Sequence, residues 1–167
     1  MSLDALHSGA GIDIRHSVVQ VNGAPTRLAE AGSGPLVLLL HGFPECWYSW
    51  RHQLRALAEA GFHAVAPNQR GYPGTHTPAG VADYTMLHLV SDVVGLIGAL
   101  GEPNATVIGH DWGAPVAWYT ALLRPHPPTG ISPDTNGGTP ASGAGGRRGQ
   151  PPLGGRAPRC VGASPSR

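Results

Sequence analysis

The chain has 167 residues, including 25 Gly and 17 Pro, and a formal net charge of +1. Gly and Pro make up 18 of the 41 residues 127–167 but only 24 of residues 1–126. This excludes one evenly packed globule and separates a body large enough to bury a core from a segment too poor in apolar residues to offset the entropy of ordering. Charge divides at the same point. The body carries nine acids and six Arg, the segment five Arg and only Asp134. Lys is absent throughout.

The body alternates strand and helix signals. Residues 12–21 are rich in β-branched side chains and end at the turn pair Asn22-Gly23, so residues 26–31 can return as a hairpin partner. Gly32-Ser33-Gly34-Pro35 breaks the chain before the apolar run Leu36–Leu40, which suits a strand buried on both faces. Residues 47–60 carry a helical apolar stripe closed by Gly61. Residues 62–67 read as a second short strand and 68–80 as a loop. Residues 84–100 form the clearest helical pattern, with Gly101 as its stop. Residues 105–108 are a third buried strand, and 116–123 a helix ending before Pro125. The repeated order implies a parallel sheet with helices on its faces. After His126 the pattern stops, and residues 127–167 are expected to be an unstructured low-complexity tail.

No apolar run reaches the roughly 20 residues that a membrane span needs. The N-terminus lacks the basic and apolar regions of a secretory signal, and a cytoplasmic setting is the expectation. Cys46 and Cys160 lie in different segments and give neither a disulfide framework nor a metal spacing. Neither a cofactor nor a metal is expected.

The pentapeptide Gly109-His110-Asp111-Trp112-Gly113 follows a strand and opens a helix. Small residues two before and two after its centre permit a tight strand-to-helix turn, which lifts the central side chain above the C-terminal edge of the sheet. Here the centre is Asp rather than Ser. A carboxylate is ionised at neutral pH and attacks carbon directly, giving an ester on the enzyme that water must then hydrolyse. The plainer reading is an aspartate helix cap. His41-Gly42-Phe43-Pro44 follows the strand Leu36–Leu40. A loop there can aim a backbone N–H at the same point, forming an oxyanion hole with the N–H that follows the nucleophile. The plainer reading is a Gly-Pro turn. The aromatic cluster Trp47, Tyr48 and Trp50 suits core packing more than a substrate pocket.

Together, HGFPECWYSWRHQLRALAEAGFHAVAPNQRGY and VIGHDWGAPVAW closely resemble the epoxide hydrolases of the α/β-hydrolase fold, from about Ile14 to Pro125. The resemblance implies the N-terminal part of that fold and conversion of an epoxide and water to a vicinal diol through an aspartyl ester. It implies that Asp111 is the nucleophile and that the N–H groups of Phe43 and Trp112 form the oxyanion hole. His41, Gly42, Pro44, Gly109, His110 and Gly113 support it, His110 from a buried position and Pro44 through a cis bond. Asn68 and Pro73 depart from the family pattern, at an expected cost in local stability.

In the family, lid tyrosines, an acid and a histidine complete the reaction. No His follows His126. The chain is therefore expected to be an inactive form truncated before the lid, with residues 127–167 an out-of-frame continuation in a G/C-rich, bacterial genome. Self-association through an open sheet edge is also expected. The alternatives are a haloalkane dehalogenase-like hydrolase, which shares the Asp-Trp elbow, and a non-catalytic fragment or weak binding module. The scattered tail Arg and absent tail aromatics argue against a nucleic-acid partner. The expected ligand is a small-molecule epoxide.

Overall fold

A computed structural model describes residues 12–124 and the backbone of residues 131–134. The elements, in chain order, are β1 (Arg15–Val21), β2 (Ala24–Ala31), β3 (Leu36–Leu40), α1 (Arg51–Glu59), β4 (His63–Pro67), α2 (Met86–Ala99), β5 (Thr106–His110), α3 (Gly113–Leu123) and β6 (Ile131–Asp134). The strands form one sheet in the order β1-β2-β4-β3-β5-β6. The β1–β2 and β2–β4 pairs are antiparallel, whereas β3–β4, β3–β5 and β5–β6 are parallel. The observed architecture is thus the expected α/β one.

Strand periodicity accounts for two apolar layers. Leu36, Leu38 and Leu40 join Val93, Leu96, Ile97 and Val116 on the face covered by α2 and α3. Val37 and Leu39 point the other way, onto Leu54 and Ala58 of α1. β3 is buried along its whole length. The hairpin turn has positive φ at both Asn22 (51°) and Gly23 (79°), the geometry that joins twisted strands in two residues.

Strand β4 lies on one side of β3 and β5 on the other. The chain order therefore reverses at β3, and the gap between β3 and β5 is the switch point where open α/β sheets bind ligands beyond the carboxyl ends of the strands. The loops that leave there begin at His41 and Asp111.

Two helix starts differ from the sequence expectation. Trp47–Trp50 forms a tighter 3-10 turn before α1, and Val81–Tyr84 does the same before α2. Such turns commonly lead into helices. Extended Thr85 (ψ 158°) separates the second one from α2. A larger correction concerns Ile131–Asp134, which lie in the segment expected to be an unstructured tail. Their backbone pairs with β5 from Val107↔Ile131 to His110↔Asp134. Backbone pairing needs no apolar side chains, so composition did not signal it. The flank of β5 expected to be open is thereby paired. The expectation for residues 135–167 lies outside the described residues. Among the described residues, no helix is long and apolar enough to cross a membrane.

Candidate active site

The turn from β5 into α3 is closed by two residues. Asp111 sits at φ 50°, one of two non-glycine residues with positive φ among those described. That region costs an L-residue on the order of 1–3 kcal/mol. The surrounding glycines leave the chain no wider path. A β-carbon on Gly109 would lie 2.7 Å from the Ala114 nitrogen. One on Gly113 would lie 2.7 Å from the Leu40 carbonyl carbon and 2.8 Å from the His41 oxygen. The start of α3 thus presses on the end of β3, and Asp111 stands exposed above the switch point.

The loop after β3 meets it there. The Phe43 N–H donates to Asp111 Oδ1 at 2.9 Å. Hydrogen bonds from the Phe43 N–H and then the Trp112 N–H, with the charge of His110 assisting, hold the Asp111 carboxyl below its usual range. Gly42 permits this approach, because a β-carbon there would lie 2.5 Å from Asp111 Oδ1. The Phe43 N–H therefore meets Asp111 at Oδ1, and the Trp112 N–H acts on the same carboxyl.

The loop itself is braced from below. The Phe43-Pro44 peptide is cis, as the resemblance implied. His41 is fully buried. Its Nε2 faces the Gln69 N–H at 3.0 Å and its Nδ1 lies 2.8 Å from the Gly42 oxygen. An N–H cannot accept, so Nε2 is the acceptor and Nδ1 carries the proton. Burial lowers the His41 pKa further, and the ring is a neutral brace with both nitrogens engaged. The Gln69 side-chain amide also donates to the His41 carbonyl. The Tyr72 ring stands edge-on to His41, with centroids 4.5 Å apart.

Asn68 is buried, accepts from the Trp47 N–H at 3.1 Å and donates to the Pro73 carbonyl at 2.9 Å. Both departures from the family pattern thus satisfy each other. Arg70 grips Asp92 of α2 through two 2.7 Å bonds, the strong fork-on-carboxylate arrangement. Sequence reasoning left Gln69, Arg70 and Tyr72 without a role. The RGY run marked their loop, but only the fold carries it under His41.

His110 requires a correction. It was expected to be buried, yet its side chain is 38% exposed, with Nδ1 3.4 Å from Glu45 Oε2. It emerges from the strand end onto a separate hollow of about 220 Å³ shared with Glu45, Ser49, Trp50 and Gln53. The Trp50 indole N–H is buried without a partner among the described residues. Trp47 and Trp50 pack against the layer under α1, as core residues should. Cys46 is buried.

Above Asp111 the site is open. Phe43 is 71% and Trp112 64% exposed. Together with Tyr72, Tyr84, Leu89 and Val116 they line a hollow of about 400 Å³. The wall of the hollow is largely apolar and aromatic, with Gln69 and Arg70 as its polar members.

A carboxylate on a tight strand-to-helix turn, at the switch point of this sheet, defines a hydrolase class. The protein family described as the alpha/beta hydrolase fold matches residues 35–130, and the chain belongs to it. Within that family the proteins it resembles include epoxide hydrolases. Epoxide hydrolase 3 of Siraitia grosvenorii is 52% identical over 112 residues, which are 67% of this chain and 35% of that protein. Epoxide hydrolase A of Mycobacterium tuberculosis is 49% identical over 109 residues, 64% of this chain and 34% of that one. The crystal structure of an epoxide hydrolase from Vigna radiata superposes with a TM-score of 0.65 at 54% identity, over 67% of this chain and 36% of that one. The chain spans about a third of the length of these relatives.

Proposed function

We propose that this chain carries the nucleophilic half of an epoxide hydrolase. The observation that carries the reading is the Phe43 N–H on Asp111 Oδ1 at the strained elbow. The named relatives favour an epoxide over an alkyl halide. Oδ2 attacks a ring carbon, the carbon–oxygen bond of the ring breaks, and its electron pair leaves on the epoxide oxygen, which takes a proton from water. Oδ1 becomes the ester carbonyl without leaving the Phe43 N–H, and the Trp112 N–H is the second donor of the proposed oxyanion hole. When water adds to Cγ, the negative charge develops on that same oxygen, where oxyanion donors are worth most. Collapse releases the diol and restores the carboxylate.

The second step needs a base. Among the described residues, the imidazoles near Asp111 are His41, with both nitrogens engaged, and His110, which faces Glu45. The 167-residue polypeptide is therefore expected to form the ester and lose it slowly, without sustained turnover. A cytoplasmic, bacterial origin belongs to the same proposal.

Intact-mass analysis after incubation with styrene oxide tests it. One adduct per chain, mapped to Asp111 and abolished in Asp111→Ala, is the expected result. An adduct that persists in that variant, or no adduct in the parent, overturns the reading.

A further inference from the structure

Residues that never touch the nucleophile converge on one peptide unit. The Gly42 carbonyl accepts the Glu45 N–H at 3.1 Å, the protonated Nδ1 of His41 at 2.8 Å and the Tyr72 hydroxyl at 3.4 Å. The other end of that peptide is the Phe43 N–H, the donor to Asp111 Oδ1. We propose that Tyr72 is a positioning residue for ester hydrolysis: with His41 it fixes and polarises the Gly42–Phe43 peptide so that its N–H is a stronger oxyanion donor. This rests on the nucleophilic role proposed for Asp111.

Two physical arguments carry it. A peptide is planar, so holding its carbonyl in three places fixes the direction of its N–H. Hydrogen bonds in series also strengthen one another, because electron density drawn to the carbonyl leaves the N–H more positive. Tyr72 is suited to donate. Burial first, then the charges of Asp111 and Glu45, raise its pKa, so the hydroxyl keeps its proton. Its bond is the longest of the three, which makes it the adjustable one.

The two half-reactions respond in opposite senses. Before attack, Oδ1 belongs to a carboxylate, and a stronger donor stabilises it and blunts the nucleophile. During ester hydrolysis, water adds to Cγ and gives one proton to solvent. The carbonyl pair moves onto Oδ1, and a stronger donor then lowers the barrier. Damage to the fold would instead slow both steps.

Tyr72→Phe keeps the ring against His41 and removes only the hydroxyl. In the full chain treated with styrene oxide, followed by intact mass, the variant is expected to alkylate at least as fast as the parent. Its adduct should decay about two- to fivefold more slowly. A second measurement does not depend on the epoxide. The parent has two Phe and the substitution adds one more amide signal, so selective ¹⁵N labelling follows the Phe43 amide with Phe62 as an internal control once the added signal is assigned. In Tyr72→Phe the Phe43 proton should move upfield by tenths of a ppm while Phe62 stays in place. Unchanged adduct decay, slowing of both steps, or an unmoved Phe43 signal overturns the proposal. If the parent forms no adduct, the reading of Asp111 fails, and the Phe43 signal still decides whether Tyr72 polarises the peptide.

Discussion

The two sides of the elbow are built to different standards. Beneath Asp111, every group that supports the oxyanion loop is buried or bonded. His41 uses both nitrogens, Asn68 both ends of its amide, and Arg70 two bonds to Asp92. Above it, Phe43 and Trp112 face solvent and the carboxylate stands in the open. The difference shows which part of the chemistry this stretch of chain can hold by itself. A donor pair that stabilises charge on one oxygen needs only backbone, and a short loop can fix it. An acid or a base on the far side of a substrate would need side chains carried by other elements.

Substitutions test that contrast, beginning below. Gly113→Ala forces a methyl group into the Leu40 and His41 backbone, which no rotamer relieves. We expect a loss of about 3 kcal/mol or more, seen as failure to accumulate folded protein or a steep fall in urea midpoint. A midpoint equal to the parent's would mean that the two strand ends can separate. Asn68→Asp keeps the acceptor for Trp47 but sets a carboxylate against the Pro73 carbonyl. Chemical denaturation should show a loss of about 1–3 kcal/mol; a gain would restore the expectation that Asn68 weakens the loop.

Acid treatment probes the boundary between the two sides. The N–H groups of Phe43 and Trp112 hold the Asp111 pKa below its usual value. The reactive, ionised form is therefore retained as pH falls and is lost only below that range. Adduct formation should stay level from neutrality down to about pH 4, where an ordinary aspartate is already near half-protonated. A rate halved by about pH 5 would contradict the bonding at Oδ1. The smallest effect belongs above the elbow. Trp112→Ala removes an exposed indole but keeps the backbone N–H, and stability should change by no more than about 0.5 kcal/mol. A larger loss in thermal melting would show that the indole is packed rather than open.

Much of the site was legible in the residues. Period-two and helical patterns placed β3, β5 and their helices, because burial on one or two faces leaves a direct trace in sequence. The glycine spacing around Asp111 announced the turn, because close backbone contact tolerates no β-carbon. The helix starts at Arg51 and Met86 were harder to read. The residues before them are apolar and helical in spacing, but they wind as tighter turns. His110 was misjudged because its position in the pattern says nothing about whether an element covers it.

By itself the sequence determined the first five strands and the tight turn that carries Asp111, both of which follow from local spacing and side-chain type. Only the tertiary structure decided how the Phe43 N–H is held. His41, Gly42, Glu45 and Tyr72 converge on one carbonyl from two loops, and no periodicity links residues that meet through the packing of β3 against β4. The sixth strand was likewise decided in three dimensions, because a backbone ladder forms between neighbours whatever side chains they carry.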